Sequence, residues 1–127
     1  MDIEWERPFA LERPVEISLR FKRNPTGSIA VIRGPKEEGE QTLHTKWAYL
    51  RVDEASDAFS ETMKDCQVDF HAYRMCGAKR CLKAWDMEGV PCTFENFCRL
   101  DVAVGMELLN RFFDAIMSYE HDEEGKQ

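Results

Sequence analysis

The chain predicts an α+β domain, with an N-terminal antiparallel sheet of about three strands packed against a C-terminal half of three to four helices. Three observations predict it. Up to about residue 51, apolar side chains recur at every second position, as a half-buried strand requires. Beyond that point they recur at three and four, as one face of a helix requires. The size is also right: 127 residues with a hydrophobic fraction of 43% fit one domain, and such a domain buries about two-thirds of its unfolded surface without a staple. The domain is expected to span residues 1–120, with 121–127 (HDEEGKQ) as a disordered acidic tail.

The strands come first. Residues 1–14 contain Pro8 and Pro14 and read as an extended lead-in, from which Trp5 and Phe9 are expected to cover an open edge of the core. In VEISLRF, Val15, Ile17, Leu19 and Phe21 alternate with Glu16, Ser18 and Arg20, which marks the first strand. The turn NPTG (24–27) follows, since Pro fixes φ and Gly permits positive φ. SIAVIR returns as a second strand to complete a hairpin. GPKEEGEQ (34–41) reads as a mobile polar loop. TLHTKWAYLRV sets Leu43, Thr45, Trp47 and Tyr49 on one parity and predicts the third strand.

The helices follow. Asp53 is a candidate cap with Glu54 in its first turn, and Ala55, Ala58, Phe59, Met63 and Cys66 share one helical face. A second helical run is expected over about 68–85, after a break near Gln67. Its apolar candidates are Phe70, Tyr73, Cys76, Cys81, Leu82 and Trp85, and Gly77 weakens it by about 1 kcal/mol relative to Ala. Residues 86–91 turn the chain through Gly89 and Pro91. Thr93 caps a short helix carrying Glu95, Phe94, Phe97 and Cys98. Asp101 caps the closing helix, whose stripe is Val104, Leu108, Phe112, Ala115, Ile116 and Tyr119, widened by Leu109 and Phe113.

Composition narrows the function. No run approaches the ~20 apolar residues of a membrane helix, and MDIEWERPF lacks the order of a signal peptide, so a cytoplasmic location without membrane association is expected. Five cysteines without an export signal read as reduced thiols. A net charge of -7 disfavours direct nucleic-acid binding, which needs basic side chains against phosphates. A protein partner suits this charge better.

Reactive centres are not indicated. Cys66, His71, Cys76 and Cys81 recur every five residues, which spreads them round a helix instead of gathering them on one face. Structural zinc sites prefer ligand pairs two to four residues apart, so no metal and no cofactor is expected. No sequence pattern brings His44 or His71 to a thiol, and no serine elbow, phosphate loop or dinucleotide fingerprint is present. The expected function is therefore non-enzymatic.

One stretch carries a family clue. LKAWDMEGVPCTFENF (82–97), followed by the Leu/Phe-rich closing helix, resembles a pattern in small tail-module proteins of tailed bacteriophages, the tail assembly chaperones, over residues 82–117. The matching residues are Leu82, Trp85, Asp86, Gly89, Pro91, Thr93, Glu95 and Asn96. The family's common form has a second Pro beside the first and an aromatic before the cap, where this chain has Pro91-Cys92-Thr93-Phe94, so the match is partial. The resemblance implies a non-enzymatic assembly factor that covers the apolar helices of a tape measure protein. A hydrophobic groove is then expected near the closing helix, formed from Leu109, Phe113 and Met117 with Trp85, Phe94 and Phe97. The acidic composition leaves one alternative, an anti-defence inhibitor acting by protein binding or DNA mimicry.

Overall fold

The structure, a computed structural model, describes residues 8–117. Trp5, Tyr119 and the expected tail at 121–127 lie outside the described residues. In chain order the elements are β1 (Val15–Arg23), β2 (Ile29–Ile32), β3 (Gln41–Trp47), α1 (Val52–Thr62), β4 (Met63–Lys64), β5 (Gln67–Val68), α2 (Phe70–Cys81), β6 (Leu82–Trp85), α3 (Phe94–Phe97) and α4 (Val102–Phe112). The fold is α+β, as the change of period predicts. Among the described residues no helix is long and apolar enough to cross a membrane.

The main sheet is antiparallel, in the order β2-β1-β3-β6. β1 and β2 form the expected hairpin, closed by Asn24 and Gly27, whose φ of 97° is one that glycine alone adopts freely. β3 pairs along β1 from Val15↔Trp47 to Phe21↔Gln41 and ends at Trp47, so Tyr49 falls beyond it. The 34–40 loop is tied down: Arg20 binds Glu40 at 3.1 Å and the Gly34 carbonyl, and Lys22 reaches Glu37 at 3.4 Å.

Three helix boundaries differ from those expected. α1 starts one residue before Asp53, with Arg51 as its cap; the Glu54 carboxylate reaches back to the Arg51 amide at 3.0 Å, which satisfies a free helix-end donor. α1 stops at Thr62, before Met63 and Cys66. Residues 63–68 instead fold into the β4–β5 hairpin through Asp65 (φ 50°) and Cys66 (φ 64°). Two successive positive φ values make a two-residue turn of the kind that matches strand twist, and local periodicity cannot show it. α2 stops at Cys81, and the expected helical residues Leu82 and Trp85 belong to β6. Their spacing of i, i+3 is that of one helical face, and over only four residues it is weak evidence. The sheet decides: the Ala48 amide donates to the Cys81 carbonyl at 2.7 Å, and β6 pairs with β3.

The core lies between the sheet and the helices. Trp47 is completely buried, stacked on Phe112 at 4.6 Å and edge-on to Phe97 at 6.3 Å. Its indole N–H donates to the Thr45 hydroxyl at 2.6 Å, which donates in turn to the Ile17 carbonyl at 2.5 Å. A buried indole donor left unpaired would cost about 1–3 kcal/mol, so this relay is part of why Thr stands there. Val104, Leu108, Leu109 and Phe112 bury one side of α4, each worth about 1.5–3 kcal/mol of transfer free energy. The chain then widens into a single π-helical turn over Phe113–Met117. That turn brings Met117 against Gly77 on α2.

Candidate protein-binding groove

Half of the residues expected to form a groove are core. Leu109, Phe97 and Met117 are buried, so none of them faces a partner in this conformation. The cause for Leu109 is placement: α4 has contacts with β1 and β2 on one side and with α2 on another, which buries Val104, Leu108, Leu109 and Phe112, while Phe113 and Ile116 stay half-buried and Ala115 is exposed. The other three are half-buried, each with a structural contact. The Trp85 indole donates to the Val90 carbonyl at 2.7 Å, Phe94 stacks on Phe97, and the Arg74 guanidinium lies 4.5 Å above the Phe113 ring.

The LKAWDMEGVPCTFENF stretch is a joint between a strand and a helix, where two helices were expected. Most of its signature side chains hold it. Trp85 fixes the Gly turn, Gly89 supplies a φ of 77°, and Asp86 binds the His44 amide at 2.9 Å. The Asn96 amide nitrogen donates to the Thr93 hydroxyl at 3.1 Å, and its side chain donates to the Pro91 carbonyl at 2.9 Å. These bonds give the stretch a role in holding the joint's geometry.

On the closing helix Val102 and Met106 remain exposed, and a further apolar surface lies away from it. A groove of about 900 Å³ opens between residues 8–12 of the lead-in and the segment from β3 into α1. Phe9, Leu11 and Val52 line it and are 77%, 50% and 88% exposed. Tyr49 and Leu50 add to the lining and Lys83 of β6 borders it. Phe9 does not cover an edge of the core as expected. It presents its ring to solvent, and Val52 does the same at the first position of α1. Large apolar side chains gathered round one concavity mark an interaction surface more often than an ornament of the surface. Its rim is fixed by the bidentate pair of Arg51 with Asp53, at 3.0 and 2.8 Å, and by the Glu54 cap.

Sequence reasoning placed Phe9 in the right segment with the wrong role, and passed over Leu11 and Val52. The signal was available: no strand or helix period claims Phe9 or Leu11, and Val52 precedes the cap residue first chosen for α1.

Three of the five thiols are set against reactivity. Burial pushes Cys81 up to about 12. Burial, then a hydrogen bond to Glu61, raises Cys76, and burial raises Cys92. A nucleophilic cysteine needs the opposite shift. Ser18 Oγ lies 2.8 Å from His44 Nδ1, but the two are directly opposed across β1 and β3, and Asp86 engages the His44 backbone, not its ring. A cross-strand polar pair accounts for this contact. Among the described residues no group of three or more His, Cys, Asp or Glu is placed to hold a metal ion.

Comparison with known proteins finds no matching family model, no matching curated protein and no matching solved structure. Function must be reasoned from the groove and the joint.

Proposed function

We propose that this chain is a non-enzymatic protein-binding assembly factor, and within that class a tail assembly chaperone-like protein of a tailed bacteriophage. The observation that carries the broader reading is the groove, where Phe9, Leu11 and Val52 are held out to solvent round one cavity. The finer reading rests on the likeness of residues 82–117 to the phage pattern. A tape measure protein is long, helical and apolar before the tail polymerises round it. A chaperone for it needs an apolar surface to cover the helix and an acidic exterior to keep the complex soluble. A net charge of -7 suits that role.

Coexpression tests the proposal. The chain is expressed with the tape measure protein of a tailed bacteriophage, and the soluble fraction is measured. The native chain should raise that fraction, and the Phe9→Glu, Val52→Glu double variant should abolish the effect while remaining folded, since both positions are exposed. A double variant that solubilises the tape measure protein as well as the native chain would remove the groove from the mechanism. Failure of the native chain would remove the chaperone reading.

A further inference from the structure

We infer that the uncovered edge of β1 is a docking site for an extended peptide segment that carries a carboxylate. The site is distinct from the groove, which is bordered by β6 at the opposite side of the sheet.

The register exposes the edge. β3 pairs with β1 from Val15 to Phe21, but β2 pairs with it only from Arg20 to Arg23. The backbone orientation follows from bonds on the far side of β3. The His44 carbonyl accepts from Asp86 and the Ala48 amide donates to Cys81, so even-numbered β3 residues turn toward β6. Odd-numbered ones turn toward β1, and their partners Ile17 and Leu19 face β3. Glu16 and Ser18 therefore present their amides and carbonyls to the opposite side, where β2 has already ended. Among the described residues one hydrogen bond meets them, from the Arg111 guanidinium to the Ser18 carbonyl. An unpaired edge of this kind is a template for strand addition.

The chemistry beside the edge selects the peptide. A cavity of about 420 Å³ there is lined by Ser18, Arg20, Ile32, Arg33, Thr42 and Arg111. Three guanidiniums thus converge in a chain of net charge -7. Two carboxylates hold them: Glu40 binds Arg20, and Glu107 binds both Arg33 and Arg111, the latter at 2.8 Å. Burial works to raise Glu107, but Arg111 and Arg33 outweigh it and hold the carboxyl below its ordinary range. Glu107 stays ionised and keeps both arginines oriented. Each guanidinium offers five N–H donors, more than two carboxylates and two backbone carbonyls take up. A carboxylate on an incoming strand can accept the remaining donors, with bidentate geometry available at Arg33, whose side chain is 65% exposed.

The full chain, labelled with ¹⁵N, is titrated at low ionic strength with the blocked peptide acetyl-Val-Glu-Val-Glu-Val-amide, and separately with glutarate as a carboxylate lacking a backbone. The peptide should give saturable shifts at the Glu16 and Ser18 amides and slow their hydrogen exchange, while glutarate moves neither at the same concentration. Arg33→Ala should weaken peptide binding about tenfold, the loss expected for one charge-assisted hydrogen bond, with the rest of the spectrum unchanged. Phe9→Glu should leave it untouched, so failure here and failure of the groove are separable. Peptide binding without edge shifts, glutarate binding as tight as peptide binding, or no saturable response from either would overturn the proposal.

Discussion

Gly77→Ala separates two forces that act on one residue in opposite directions. By helix propensity alone, Ala in the middle of α2 should stabilise the fold by about 1 kcal/mol. The packing opposes this. A Cβ at position 77 would lie 2.6 Å from Met117 Sδ, 2.8 Å from its Cε and 3.2 Å from Phe112 Cε2. Non-bonded carbons sit at about 3.5–4.0 Å, so the thioether must retreat by about 1 Å. Met117 is buried, and the Phe112 ring cannot give because it is stacked on Trp47. Overpacking of this kind costs about 1–3 kcal/mol. Methionine is adaptable, which places the cost near the middle of that range and the net loss at about 1 kcal/mol. Urea unfolding followed by tryptophan fluorescence measures it. Met117→Ala alone should cost about 2–5 kcal/mol, but less in the Gly77→Ala background, with a coupling of at least about 1 kcal/mol. A stabilised Gly77→Ala variant whose effect adds simply to that of Met117→Ala would refute the close-packing account.

Three further outcomes are expected. Cys66→Gly should raise stability by about 0.5–1 kcal/mol in the same assay, because Cys66 sits at φ 64° in a turn that glycine enters without strain. Trp85→Phe should cost about 1 kcal/mol through loss of the hydrogen bond to the Val90 carbonyl, and its amide shifts should be confined to the 86–91 turn and its neighbours. In thiol labelling, exposed Cys66 and Cys98 should react first and Cys81 only on unfolding. The raised Cys81 pKa also sets a sign: the unfolded thiol ionises near about 8.5 and the folded one at about 12, so the folded state binds more protons between them. Stability contributed by the neutral thiol is complete below about pH 8.5 and should fall as pH rises toward 12, as urea midpoints along that range would show.

How far the sequence could be read depended on the range of the forces involved. β1, β2 and the buried parity of β3 were legible because each rests on alternation against one core face. The caps at Thr93 and Asp101 were legible because a side-chain oxygen meets an amide two or three positions away. β6 was not, since its state is set by β3, some forty residues earlier, and Leu82 and Trp85, three apart, read locally as one helical face. The 65–66 turn was hidden because Asp and Cys only rarely adopt positive φ in succession. The burial of two groove candidates was hidden for a related reason. Leu109 and Met117 look surplus to one apolar stripe, but both are buried, and Gly77 lets α2 approach closely enough to seat Met117, a role that a propensity scale registers only as a defect.

The same topology accounts for where binding surface remains. Two helices and a small hairpin separate β3 from β6, so the chain returns antiparallel and places β6 at one margin of the sheet. The other margin is uneven: β1 has nine residues and β2 four, so β2 cannot cover its neighbour. The helices bury one face of the sheet and one another, and the buried stripe of the closing helix is used in doing so. Two surfaces for contact remain at the margins, an apolar groove beside β6 and an arginine-lined notch past the end of β2. Their chemistries are opposite, one suited to a hydrophobic helix and the other to an acidic strand. An assembly factor that meets two different segments needs such a separation, because a single mixed surface would let either segment compete for both. Phe9→Glu and Arg33→Glu should therefore impair different interactions. A partner whose binding is lost equally with both would mean that the two margins act as one site.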